Sequence, residues 1–213
     1  MPIITVRGQS GSGAPEIGKL VASKLHIDYV DREIIAEVAN RLRWSAEGVE
    51  KKETPPGTFL SKIADALGHS YAPPSTYPTM YLPVWEIPLD DQSYLIGLNS
   101  VINELAAGNS IVMRGRGSQF ILKDHPEATH VLLTASFEVR LNRVMESMEL
   151  GEEAAKKEIE RNDSSRREFV KRYFRAEIEN PLNYHIVINT DKISYEIASS
   201  IIIDTVNLKA QNK

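Results

Sequence analysis

The residues in this chain best suited to chemistry are Gly8-Gln9-Ser10-Gly11-Ser12-Gly13-Ala14-Pro15-Glu16. They lie between the apolar run Ile3-Ile4-Thr5-Val6 and a stretch carrying Ile17, Leu20, Val21 and Leu25 on one helical face. Strand, glycine-rich loop and helix in that order make an anion seat, because glycines reach φ > 0 and let successive backbone N–H groups converge on a phosphate. The spacing from Gly8 to Gly13 fits the start of the pattern G-x-x-x-x-G-K-[ST]. Ala14 and Pro15 then stand where the lysine and the Ser/Thr belong. A loop made of Gly8, Ser10, Gly11, Ser12, Gly13 and Ala14 is therefore expected to hold phosphate without the usual ammonium.

Cations occur elsewhere. Arg114-Gly115-Arg116-Gly117 directly follows the apolar run Ser110-Ile111-Val112-Met113. Two arginines alternating with glycines beyond a strand form an anion-contacting turn, and the guanidinium fork suits that role. A solvated turn is the competing reading. Arg161, Arg166 and Arg167, with Lys171 and Arg172, form a cationic cluster within the charged segment 151–175. A solvated helix laced by i,i+4 pairs is the plain account. Beside a phosphate loop, a basic lid is the stronger one. Asp31 follows the short run Asp28-Tyr29-Val30 and precedes a periodic stretch to Arg43, so it serves as helix N-cap, as ligand at a strand's C-terminal edge, or as both.

The elements that must position these groups alternate. Strands are expected at 3–6, 28–30, 110–113, 130–134 and 184–189, and helices from 32 to 43, 91 to 107, 136 to 148 and from 152 onward. A final helix is expected to turn Ile197, Ile201, Ile202 and Val206 inward and to fray after Leu208. Unalternating apolar strands separated by helices imply a parallel α/β sheet covered on both faces. Residues 51–95 differ: Pro55-Pro56-Gly57, a short helix from Thr58 to Leu67, then the proline- and aromatic-rich run Tyr71 to Trp85. That run reads equally as an ordered surface loop or as a lid over a pocket, with docking on a second copy as a third reading.

The chain has 213 residues, 42% hydrophobic and 25% charged, a net charge of −4 and no cysteine. A single domain with its own core is expected. A mildly acidic chain without a basic tract argues against general nucleic-acid binding. The absence of cysteine excludes disulfides and thiolate chemistry, and the five histidines have no metal-ligand spacing. With neither a signal peptide nor a membrane-spanning run, a soluble cytoplasmic protein is expected.

Gly8 to Gly13, Asp31, Gly115-Arg116, the arginine-rich segment and Ile186-Val187-Ile188-Asn189-Thr190 stand in the order seen in nucleoside monophosphate kinases. The chain most resembles the cytidylate kinase-like proteins, through Gly11-Ser12-Gly13-Ala14-Pro15-Glu16-Ile17, Tyr29-Val30-Asp31-Arg32-Glu33-Ile34-Ile35 and Asp163-Ser164-Ser165-Arg166-Arg167-Glu168-Phe169. The resemblance implies a three-layer P-loop NTPase-like fold with a five-stranded parallel sheet, a helical lid at 151–175 and a monophosphate-binding or interface insert at 51–95. It implies transfer of the γ-phosphoryl of ATP to CMP or a related monophosphate, with Mg²⁺. The N–H groups from Gly11 to Ala14 would hold the β-phosphate of ATP, and Arg116 the acceptor's phosphate. Arg161 and Arg166 would stabilise the migrating group. Asp31, Arg114 and Arg167 would contact the substrate.

Three departures bear on that reading. Ala14 removes an ammonium, Pro15 removes an N–H while suiting a helix's first turn, and Gly117 stands where a cytidylate kinase proper has an acid. Glu16 replaces a hydroxyl that helps hold Mg²⁺. It opposes a nearby phosphate by roughly 0.3–1 kcal/mol, or else holds the Mg²⁺ itself. Charge would have to come from Arg7, Lys19 or a lid arginine. The alternatives are a nucleotide-binding protein that lost catalysis, and an interaction module docking through Tyr71 to Trp85, with a homodimer as one version.

Overall fold

A computed structural model describes residues 1–31 and 92–211. The expected helices at 32–43 and 58–67 and the aromatic run Tyr71 to Trp85 lie outside the described residues. Five strands form one parallel sheet in the order β2-β3-β1-β4-β5. They are β1 (Ile3–Gly8), β2 (Asp28–Val30), β3 (Ile111–Arg114), β4 (Ala128–Thr134) and β5 (Ile186–Asn189). The helices are α1 (Ala14–Leu25), α2 (Gln92–Ala106), α3 (Ser118–Ile121), α4 (Phe137–Met148), α5 (Glu152–Phe174) and α6 (Tyr195–Gln211).

Strand β1 is the centre, paired with β3 through Ile3↔Ile111 and with β4 through Ile3↔Ala128. All six of its residues are buried, which explains a run with no polar alternation. Its faces part company. Ile4 and Val6 pack with Ile17, Val21, Ala198 and Ile202 of α1 and α6. Ile3 packs with Leu98, Ile102, Phe169 and Val170 of α2 and α5. A third cluster, Leu141, Val144, Ala155 and Ile159, ties α4 to α5. The sheet thus fixes the C-terminal ends of β1 and β3 side by side, where ligands bind in open α/β folds. No helix among the described residues is long and apolar enough to cross a membrane.

Three sequence expectations need adjustment. Ala198, Ile202 and Val206 are buried at i, i+4, i+8, with Ser199 beside them. Ile197 and Ile201, about 100° away on the wheel, are 55% and 38% exposed. The helix also continues past Leu208 to Gln211. Strand β5 starts at Ile186 rather than Tyr184, because Pro181–Asn183 forms a 3₁₀ turn capped by the Asn180 side chain. His185 still joins the ladder, donating its N–H to His130 O at 2.8 Å.

His130, the third residue of β4, is structural. It is buried on the same face of the sheet as its register partner Thr5, 2.8 Å from the Thr5 hydroxyl, and its ring stacks on His185. Burial, helped by the charge of His185, pushes its pKa down to about 4; burial also lowers that of His185. A depressed histidine stabilises the fold above its unfolded pKa near 6.5, and that contribution is lost as pH falls toward 4. Melts between pH 6.5 and 4 are expected to show net uptake of about one proton on unfolding through His130. In His130→Gln, which keeps a polar partner for Thr5 but cannot titrate, that slope flattens. An unchanged slope would show that other groups carry the pH dependence.

Candidate active site

The loop between β1 and α1 is shaped by the groups pulling on its carbonyls. Arg140 Nη1 donates to Ser10 O at 3.1 Å, and Arg143 Nη1 to Gly11 O at 3.3 Å. The Thr190 hydroxyl lies 3.0 Å from Ser12 O, and Arg166 Nη1 makes a longer 3.4 Å approach to Gly8 O. With the carbonyls held on the protein side, the amides turn the other way. Ser10 N–H is spent on Asp163 Oδ1 at 2.9 Å and Ser12 N–H on Gln9 O at 3.0 Å. The N–H groups of Gly11, Gly13 and Ala14 have no bonded acceptor among the described residues. Free amides on a glycine-rich turn ahead of a helix are suited to an anion such as phosphate.

Two glycines are required here. Gly11 has φ +81°, and a Cβ would sit 2.5 Å from Arg140 O. Gly13 has φ +82°, and a Cβ would fall 2.4 Å from the Tyr195 ring. Tyr195 in turn lies under the Arg143 guanidinium, 5.3 Å from ring centroid to Cζ. Gly13→Ala is expected to cost about 1–2 kcal/mol from the left-handed backbone alone, plus the clash. Adding Tyr195→Ala restores only the clash component. Thermal melts of the single and double variants check this; full recovery in the double variant would remove the backbone share.

Beneath the loop sits a buried ionic knot. Asp163, 3% exposed, accepts from Ser10 N–H and from Arg140 Nη1 at 2.6 Å, and lies 3.8 Å from Arg166. Arg143 also donates to Thr190 Oγ1 at 2.9 Å and Thr190 O at 2.7 Å, tying the end of β5 to the loop.

Beside the loop, between the ends of β1 and β3, an open cleft is lined by Arg7, Arg114, Arg116, Gln119, Arg166 and apolar residues of α5. The register Val30↔Met113 brings Asp31 alongside Arg114. Arg114 Nε donates to Asp31 Oδ2 at 3.0 Å, and Nη2 pairs with the other oxygen. The Tyr29 hydroxyl donates to the same carboxylate at 2.9 Å, and burial raises the tyrosine's pKa. Asp31 is thus held just beyond a strand's C-terminal end by Arg114 and Tyr29; the helix it would cap lies outside the described residues. Arg116 has φ +54° between Gly115 and Gly117, which also have positive φ. Arginine rarely takes that conformation, so the turn holds Arg116 over the cleft at some cost in backbone energy.

The structure brings most of the expected site residues together. Gly8 through Ala14 form the loop between β1 and α1, and Arg114, Arg116 and Arg166 line the adjoining cleft. Arg166 also reaches Ser10 Oγ at 3.3 Å. Arg161 stands apart, 53% exposed and paired with Glu158. Arg167 is half exposed and 3.8 Å from Glu179. Glu16 is an exposed carboxylate in the first turn of α1. No cluster of three metal-ligating side chains occurs among the described residues.

The residues that support the loop, Asp163, Arg140, Arg143 and Thr190, were not singled out from sequence. A signal existed. Asp163 interrupts the buried stripe Ala155, Ile159, Val170 at helical spacing, and Arg140 sits one turn before buried Val144. A charge on an apolar stripe is buried, and a buried charge has a partner.

Comparison with known proteins agrees with this geometry. A family model described as the cytidylate kinase-like family matches residues 3–192. A cytidylate kinase from Fervidobacterium nodosum is 29% identical over 179 residues, covering 76% of this chain and 80% of that protein. An uncharacterised protein from Eubacterium ventriosum superposes with a TM-score of 0.69 at 20% identity, covering 97% of this chain and 99% of that one. A sugar kinase from Janibacter gives 0.52 at 15% identity, covering 97% and 95%. These structural likenesses speak for the P-loop kinase fold alone. With a phosphate loop and an arginine-lined cleft at the ends of β1 and β3, and a model match running from β1 past β5, the chain belongs to the cytidylate kinase-like family.

Proposed function

We propose that this protein transfers the γ-phosphoryl group of ATP to a nucleoside monophosphate, CMP or a close relative. The observation that carries the reading is the pairing of an amide-lined loop, its carbonyls drawn back by Arg140, Arg143, Thr190 and Arg166, with a cleft lined by four arginines. Phosphoryl transfer demands positioning and charge neutralisation more than a nucleophile from the protein. Gly11, Gly13 and Ala14 would bind donor phosphate through their N–H groups. Arg116 would orient the acceptor. Arg166, between loop and cleft, would stabilise charge on the migrating group in place of the absent lysine.

The donor set fits Mg²⁺ modestly: Glu16 is one hard, exposed carboxylate beside the loop, and Mg²⁺ takes one or two carboxylates while keeping waters and phosphate oxygens. When bound, the ion would supply neutralisation of the β- and γ-oxygens. The named cytidylate kinase relative supports CMP as acceptor.

An assay of ATP consumption over a panel of monophosphates with Mg²⁺ tests the reading. Turnover with a pyrimidine monophosphate above the water background is expected, and none with any acceptor at high enzyme concentration would sink it. Ala14 and Pro15 favour a second reading, a nucleotide-binding protein with little or no catalysis. Calorimetric binding of ATP without turnover would select it.

A further inference from the structure

We propose that Phe174, the last residue of α5, is a positioning residue. Its ring takes the place of a side chain at position 117 and so holds the Gly115-Arg116-Gly117 turn in the left-handed path from which Arg116 lines the cleft. The consequence for turnover rests on the phosphotransferase reading; the hold on the turn does not.

The turn is not one that a chain takes unaided. Gly115, Arg116 and Gly117 have φ of +81°, +54° and +73° in succession. Glycine enters that region freely, but the Cβ of Arg116 crowds its own backbone there. A residue with a side chain keeps such a conformation only where its surroundings over-determine it. Two sets of contacts do so here. The first is the backbone's own: Ser118 N–H closes the turn on Gly115 O at 3.2 Å, and Phe120 N–H meets Gly117 O at 2.8 Å. Those bonds fix where the turn begins and ends and leave the Cα face of Gly117 to be covered.

Phe174 covers it. A Cβ built at Gly117 would lie 2.6 Å from Phe174 Cζ and nearer still to Cε2, so the ring stands where an alanine's methyl group would. No side chain, an acid included, fits at 117 while the ring is there. The ring has little room to withdraw. It stacks on Phe120 with centroids 5.2 Å apart and sits edge-on to Phe169 at 6.1 Å. Phe169 and Val170, about one turn back along α5, are buried in the core and fix the helix that carries the ring. Phe120 belongs to α3, which Gly117 opens, so the ring is clasped by the same stretch of chain that it holds. Asp163 already ties α5 to the loop after β1, and Phe174 extends that helix's grip to the turn after β3. With the ring gone, the turn is free to relax out of the left-handed region, and Arg116 moves with it.

The test is a double-mutant cycle of Phe174→Ala and Arg116→Ala, read by turnover and melting, with NMR of the turn. A positive φ brings a residue's amide and α protons close together, so Arg116 gives a strong intraresidue nuclear Overhauser effect in wild type. That signal is expected to weaken in Phe174→Ala. There kcat/KM for CMP falls about 10- to 100-fold, the scale for a group displaced by about an ångström, while KM for ATP is unchanged. In the Arg116→Ala background the same substitution costs at most about 3-fold in rate, although it lowers the melting temperature in both backgrounds alike. A ring that only fills the core would cost turnover equally in both backgrounds or not at all, and either result overturns the proposal. So does a wild-type Arg116 signal in Phe174→Ala. If Phe174→Ala fails to fold, Phe174→Leu decides. It is expected to weaken the signal and to lower kcat/KM for CMP about 3- to 10-fold, and a wild-type value of either overturns the proposal. No turnover by wild type on any monophosphate, with the Arg116 signal dependent on Phe174, would sink the phosphotransferase reading and leave the hold on the turn standing; turnover on CMP with that signal unmoved would do the reverse.

Discussion

Asp163→Ala is expected to destabilise the protein by about 3–5 kcal/mol, the cost of breaking a buried ion pair from one side. For a chain of this size that is a fall of roughly 6–20 °C in Tm. The loss has three sources. Arg140 is left buried with one fewer acceptor, and its Nε already has none among the described residues. Ser10 N–H loses its acceptor, so the first turn of the loop is no longer held from below. Arg166 loses the carboxylate 3.8 Å away that helps orient it. Asp163→Asn, which keeps an acceptor but no charge, should fall between. Arg140→Met combined with Asp163→Leu should recover part of the loss, because removing both charges also removes the burial cost. Melts of the four proteins check the set. An Asp163→Ala variant within 2 °C of wild type, roughly half of one kcal/mol by the same scaling, would show that the loop holds itself.

Arg166→Ala is expected to lower turnover by about 10³-fold with little loss of stability, the scale for one charge contact made in a phosphoryl transition state. Two observations place Arg166 above the other arginines of α5. It touches the loop at Gly8 O and Ser10 Oγ, and it lines the arginine-rich cleft. Arg161 instead pairs with Glu158 in the exposed part of the same helix, so Arg161→Ala should cost less. The signature is a fall in kcat that exceeds any rise in KM, since the contact is made to charge that develops in transit. Arg166→Lys should recover part of the rate. A drop confined to KM would make Arg166 a ground-state binder only.

Much of the fold was legible because the strands are apolar without alternation and the helices between them are amphipathic. Ile3 to Val6 and His130 to Thr134 could only be central strands, and the structure makes them so. The loop was legible because Gly11 and Gly13 sit where no side chain fits. What sequence reasoning did not find were long-range partners. Arg140 and Asp163 are 23 residues apart, and Arg143 and Thr190 are 47 apart; no local pattern links them. The inward turn of Ile197 and Ile201 was misjudged for a related reason. Four apolar residues on α6 span more than one face, and only the packing against α1 selects Ala198 and Ile202.

Asp163 and Arg166 stand one helical turn apart on α5, the first fastened to the loop after β1 and the second facing the arginine-lined cleft. A helix is stiff over one turn, so a displacement of one residue carries the other with it. On the proposed function, any coupling carried by this turn of helix between loop and cleft would be reciprocal, each ligand changing the affinity of the other by the same factor. The anchoring carboxylate that looks merely architectural would then be the fulcrum of any such coupling between the two proposed ligands.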